Sequence, residues 1–178
     1  MTTKPGTVLA AAILLAPIAA QAGVGQQEGP SPLVAKIRAA TAKYRDPAVA
    51  IADGYVPGHC ASGPNEGAMG VHFINGALVV DGAIVNTETP EALIYEPLPG
   101  GKLRLVGVEY ITFADAWTAL GTTPALEGHL FHYAGAPNRY GIPAFFELHV
   151  WAWQENPKGT FSDWNPLVSC DAMPLAGN

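Results

Sequence analysis

Leu33, Val34, Ile37, Ala40 and Tyr44 recur at the three- and four-residue spacing of a helix with one buried face. Ser31-Pro32 ahead of them supplies a capping hydroxyl and a proline for the first turn. Asp46-Pro47 repeats that signal, and Val49 to Ala52 carry the apolar pattern to Gly54, a residue suited to end a helix. Two short helices, broken near Arg45–Asp46, are therefore expected against the core.

After Gly54 the period changes. Val56 to Gly70 is crowded with glycine and proline and reads as turn material. Ala68 to Asn75 alternates as a strand, with His72 and Ile74 on one face and Val71 and Phe73 on the other. Ala77–Val85 is ambiguous between a short strand and an irregular crossing. Ala92–Glu96 and Leu103–Phe113, joined by Pro99-Gly100-Gly101, form the clearest hairpin of the chain. Within its second strand Gly107, Glu109 and Ile111 share one face, and Val106, Val108 and Tyr110 the other. Ala114–Thr123 reads as a turn or short helix, Gly128–Tyr133 as a strand and Asn138–Pro143 as a loop. A last strand, Phe145–Trp153, sets Glu147, His149, Trp151 and Trp153 on one face. Helices first and then strands joined by short turns predict an α+β fold, with N-terminal helices packed on a curved antiparallel sheet or small open β-barrel. The alternative is a cupin-like double-sheet barrel.

Composition narrows the class. Of 178 residues, 49% are hydrophobic and 13% charged, enough apolar material for one packed domain. The formal net charge is −6 and no basic cluster occurs, so nucleic acid is not an expected partner. Lys4, the apolar run Thr7–Ala20 and Ala20-Gln21-Ala22 have the layout of a secretory signal peptide. The expected organisation is a signal peptide over 1–22, cleaved near Ala22/Gly23, a flexible leader over 23–31 and a globular domain over 32–178. The product would be periplasmic or secreted, with no membrane anchor in the mature chain. Cys60 and Cys170 then meet an oxidising compartment, where a disulfide is the default. A pair of cysteine metal ligands ranks below it, since no CxxC occurs.

The candidate chemistry lies in polar groups set in the middle of apolar strands. Such a group destabilises the fold by about 1–3 kcal/mol unless it finds partners. His72, Glu109 and His149 each occupy a mid-strand position, and two imidazoles with one carboxylate form a familiar divalent-metal ligand set. His72, Glu109 and His149 are the expected ligands of a zinc, iron or copper ion. His132 is expected as a fourth ligand or an acid/base partner, which with Glu109 makes up the candidate catalytic pair. Glu147 is expected to orient a ligand by accepting from a ring N–H. Phe73, Tyr95, Trp151 and Trp153 are the expected pocket wall. Two functions stay open: a metal-dependent enzyme acting on a small molecule, and a non-catalytic periplasmic binding protein for a small apolar ligand. Histidines that merely hydrogen-bond within the core are the bland alternative. The chain lacks the glycine-rich phosphate loops and the Gly-x-Ser-x-Gly elbow, so neither a nucleotide cofactor nor a serine nucleophile is suggested.

Three segments carry a resemblance: GAMGVHFIN (Gly67–Asn75), VGVEY (Val106–Tyr110) and LHVWAWQENPKGTFSDWNPLVSC (Leu148–Cys170). Together with Ala40–Tyr55 they resemble a family of small uncharacterised exported bacterial proteins. The resemblance spans most of the mature chain and implies export and a shared site.

Overall fold

A computed structural model describes residues 1–2 and 31–173. The expected signal peptide and nearly all of the leader fall on residues outside these. Helix α1 (Pro32–Thr41) starts at Ser31, whose Oγ accepts from the Val34 N–H, and Pro32 occupies its first turn. A 3₁₀ turn (Ala42–Arg45) separates it from α2 (Pro47–Ala52), which Asp46 caps through the Ala48 N–H. Both cap-then-proline signals thus act as expected.

The strands are β1 (Val56–Gly63), β2 (Gly67–Ile74), β3 (Ala92–Leu98), β4 (Lys102–Phe113), β5 (Ala125–Leu126), β6 (His129–Leu130), β7 (His132–Ala134) and β8 (Phe145–Val150). Short helices α3 (Gly76–Val79) and α4 (Ala114–Thr118) fill two connections. Six strands form one antiparallel sheet in the order β1-β2-β3-β4-β8-β7, and β5 pairs only with β6. The sheet curls into a half-barrel, which is the α+β architecture with a curved antiparallel sheet rather than a double-sheet barrel.

Three stretches depart from the sequence expectation. Val56–Gly63 is a strand, not turn material. It is an edge strand, largely exposed, with two register irregularities, so no alternation marks it. Ala77–Val85 holds the single turn α3 rather than a strand. Gly128–Tyr133 is not one strand: it breaks at the buried Phe131, leaving β6 and β7 in different sheets.

The two sheet faces do different jobs. Leu33, Val34 and Ile37 of α1 pack onto Val71, Phe73, Leu93, Tyr95, Val108 and Leu148, the main core. Tyr95 donates from its hydroxyl to the Tyr44 carbonyl, and Tyr55 to that of Pro90, which fastens the helical layer to the sheet. The opposite face carries Ala92, Ile94, Ile111 and Phe145, together with the ionisable groups described below. The C-terminal segment covers part of that face. Ala68 and Asn165 exchange backbone hydrogen bonds, and a Cβ on Gly67, whose φ is +85°, would lie 2.1 Å from the Asn165 carbonyl oxygen. Only glycine fits under this crossing. The Cys60–Cys170 disulfide closes the same arrangement across a sequence separation of 110. Such a bridge fits a protein that matures in an oxidising compartment. Among the described residues no helix is long and apolar enough to cross a membrane.

Glu91, at the entry to β3, is 1% exposed and accepts a single hydrogen bond, from the Ile111 N–H. Burial pushes its carboxyl from 4.5 up to about 8. Below the ordinary carboxylate range both folded and unfolded chains are protonated there, and no cost arises. Between about pH 4.5 and 8 the unfolded chain ionises while the folded chain keeps its proton, so stability falls as pH rises. At about 1.4 kcal/mol per pH unit, the loss at pH 7 is roughly 3 kcal/mol. Glu91→Gln, which still accepts from Ile111, is expected to recover most of it. Denaturant melts at pH 5 and pH 7 check this: the gain should appear at pH 7 and shrink at pH 5.

Candidate metal centre

Each ligand candidate stands on a different strand, and pairing explains how they meet. Glu109 on β4 lies directly opposite His149 on β8, so their Cβ atoms are neighbours. On its other side Glu109 pairs with Ala92 of β3, whose methyl leaves the space above it open. His72 on β2 lies opposite Ile94 of β3 and reaches across that strand toward Glu109. Curling of the sheet turns side chains two strands apart toward one another. His72 Nε2 lies 3.3 Å from Glu109 Oε2 and 3.4 Å from His149 Nε2. His149 Nδ1 lies 3.8 Å from Glu109 Oε1. One ligand atom from each of the three residues lies within 4.8 Å of the other two.

All three are buried, His149 to 1% exposure. Burial pulls the His72 imidazole down to about 4, against a hydrogen bond to the Gly70 carbonyl that favours its protonated form. Burial, and then the neighbouring His72 and His132, holds His149 well below the usual imidazole range. Burial pushes the Glu109 carboxyl well above its usual range, and the adjacent Glu147 pushes it further. In all three groups burial favours the neutral form over the charged one. Neutral imidazoles are the state in which histidine binds metal.

Hydrogen bonding does not account for the whole cluster. His149 Nδ1 and Glu147 Oε2 are buried without a hydrogen-bond partner. Native folds rarely leave such atoms unpaired, and each demands a reason. For His149, Asp163 Oδ1 stands 3.7 Å from Nδ1, just beyond bonding range. A small inward shift of Asp163 would give the carboxylate–histidine arrangement that commonly supports a metal-bound imidazole. Asp163 already accepts from His132 Nδ1 at 3.1 Å.

The remaining expected site residues are placed differently. His132 is not in the cluster of three: it sits on edge strand β7, more than half exposed, and joins the site only through Asp163. Glu147 shares the His149 face, as alternation requires, but its Oε2 is buried without a partner rather than accepting from a ring N–H, and it lies close enough to push the Glu109 carboxyl up. Phe73 and Tyr95 do not line the cleft: they lie in the helix-side core, their rings 4.6 Å apart. Trp151 and Trp153 do not continue the Glu147–His149 face as a pair. β8 ends at Val150, where the Ala152 N–H turns back to the Val150 carbonyl and the N–H groups of Trp153 and Gln154 both donate to Val106. Trp151 packs with Ala68, Ile94, Val106 and Val168, and its indole donates to the Ser162 carbonyl. Trp153 crosses to the helical side and donates to Thr41 Oγ1.

A cleft of about 450 Å³ opens over His72 and Glu109. Ile74, Ile111, Ile142 and Phe145 form its apolar walls, and His59, Arg139 and Tyr140 stand at its margin. His149 lies behind this floor. Arg139, Tyr140 and Asp163 are absent from the site residues that the sequence suggests. They sit in loops, where no periodicity marks a side chain as facing a site. No protein-family model, curated protein or solved structure matches the chain.

Proposed function

We propose that this protein holds one divalent metal ion on His72, Glu109 and His149 at the base of a cleft that admits a small molecule. The separations of 3.3 and 3.4 Å from His72 Nε2 to its two neighbours carry the reading. Two ligand atoms at about 2.0–2.1 Å from a tetrahedral ion are about 3.3–3.4 Å apart. Two of the three ligand-atom pairs have that spacing, and the third lies within 4.8 Å. Two imidazoles and a carboxylate suit zinc or non-haem iron(II), and copper(II) is compatible with the histidines. The cleft side is open, so water or a substrate can complete the coordination. A bound ion of this kind acidifies a coordinated water or polarises a carbonyl or phosphoryl oxygen. The chain itself supplies neutral imidazoles, a carboxyl that must release its proton on binding, and apolar walls that exclude water from the floor.

The test is metal content in the mature protein purified without a histidine tag. Near one ion per chain is expected for wild type. His72→Ala and His149→Ala, each checked for native secondary structure by circular dichroism, should hold less than about a tenth of that. Unchanged occupancy in both variants would falsify the ligand assignment. The apolar walls also support the second reading, a binding protein for a small apolar ligand. That reading gains if wild type carries no ion and hydrophobic compounds alone raise its melting temperature.

A further inference from the structure

We infer that the cleft is built for a small organic anion with an apolar body, whose carboxylate is received by Arg139 at the margin. This rests on the metal reading for what lies at the floor, and adds the substrate class.

Among the described residues Arg139 is the only lysine or arginine lining the cleft. Among the described residues no acidic side chain pairs with it, in a chain whose formal net charge is −6. Arg139 is exposed, and two aromatic rings flank its guanidinium. Its carbon lies 5.4 Å from the centroid of the Trp164 ring and 5.9 Å from that of Tyr140. Cation–π contacts at these distances draw the guanidinium toward the two rings and leave its N–H groups free for a planar, two-oxygen acceptor.

The loop beneath it is braced from within. Asn138 donates from Nδ2 to the Gly135 and Ile142 carbonyls, and its Oδ1 accepts from the Tyr140 and Ile142 N–H groups. Tyr140 is anchored in turn, with its hydroxyl on Met69 Sδ and its ring edge-on to Phe145. An exposed, unpaired cation lining the cleft, its apolar walls and the imidazole–carboxyl floor together describe a ligand with one anionic group on an apolar body. Inorganic anions lack the apolar body and should bind weakly.

Phenylacetate is a suitable probe, phenylacetamide its uncharged counterpart and inorganic phosphate the anion without a body. Calorimetric titrations would use wild type, Arg139→Gln and Arg139→Lys, each with its metal content measured alongside. Phenylacetate should bind wild type at least tenfold more tightly than phenylacetamide or phosphate. Arg139→Gln should lose about tenfold or more for phenylacetate, leave phenylacetamide unchanged and keep the wild-type metal content. Arg139→Lys, which keeps the charge but not the flat two-point donor, should fall between. Equal binding of acid and amide, no binding of the acid to wild type, or an unaffected Arg139→Gln overturns the inference. If wild type holds no metal but the acid still binds through Arg139, the metal reading fails and the anion site stands.

Discussion

Glu109→Gln is expected to cut metal affinity by a hundredfold or more while making the metal-free protein harder to unfold. Glutamine keeps the size and hydrogen-bonding atoms of the side chain but offers no anionic oxygen. Removing even a supporting group around a metal ligand costs about 10–100-fold, so loss of a ligand should cost at least that. The stability gain has a separate cause. Glu109 is 3% exposed, and the two imidazoles beside it are neutral, so no cation offsets a carboxylate there. Burial first, and Glu147 second, hold its proton on above the usual carboxylate range. At acid pH both folded and unfolded chains are protonated at this group. As pH rises through the ordinary carboxylate range the unfolded chain ionises and the folded chain does not, so stability drops. Glutamine removes that drop, with a gain on the order of 1–2 kcal/mol near neutral pH, typical of a substitution that relieves a functional site. Denaturant melts of metal-free protein at pH 5 and pH 7.5, with metal titrations at the higher pH, measure both effects. A variant that binds metal like wild type, or is less stable at pH 7.5, would mark Glu109 as an ordinary structural partner.

Breaking the Cys60–Cys170 bridge should have the next largest effect. The sequence separation is 110, and the chain-entropy model assigns a closed loop of that length about 4–5 kcal/mol. Cys60 lies on edge strand β1 and lines the cleft, while Cys170 follows the segment that carries Asp163, Trp164 and Asn165. Losing the bridge therefore does more than loosen a terminus. It frees the segment that presents Asp163 to His149 and Trp164 to Arg139. Cys60→Ser/Cys170→Ser is expected to unfold at a much lower denaturant midpoint, and to bind metal more weakly wherever it remains folded. Reductant should reproduce the first effect in wild type and change nothing in the double variant. Equal midpoints for wild type and double variant would show that the bridge only decorates a cover already held by the Ala68–Asn165 backbone pairing.

Two kinds of burial coexist in this fold. On the helical side Thr112 Oγ1 lacks a partner, while the tyrosine hydroxyls and Thr41, whose Oγ1 donates to the Ile37 carbonyl, are satisfied. On the cleft side His149 Nδ1 and Glu147 Oε2 are not. Two ionisable side chains with unpaired atoms in one cluster mark a place where a functional demand is expected to override stability.

The ligand set is legible in the sequence because of where its three residues sit. His72, Glu109 and His149 each interrupt a strand of apolar neighbours, and alternation states which face each occupies. That same rule sets Phe73 on the face away from His72, so a place for it in the pocket wall contradicts the pattern. Tyr95 goes with Leu93 to the helix side for the same reason. Trp151 keeps the His149 face but packs on Ile94 and Val106 away from the cleft, whereas Trp153 leaves that face for the helical side. Alternation holds only as far as Val150, where backbone bonds to Val106 end the strand. The register shift at Ile94/Tyr95 leaves Val106 unpaired, and it faces away from Leu105's core into the second cluster. A bulge of this kind leaves no mark on the apolar pattern.

The order of residues alone determined the helical pair with its two proline caps, the long hairpin, the two cysteines that bond, and the three polar residues set into apolar strands. These are local properties, readable from spacing and residue type over a few positions. Tertiary structure alone decided that Glu109 faces His149 across a strand pair, that His72 reaches Glu109 across β3, and that loop residues Arg139 and Asp163 reach the site. Those depend on strand order, register and sheet curl, which arise from contacts between residues far apart in the chain. Periodicity along one strand carries no information about which other strand will lie beside it.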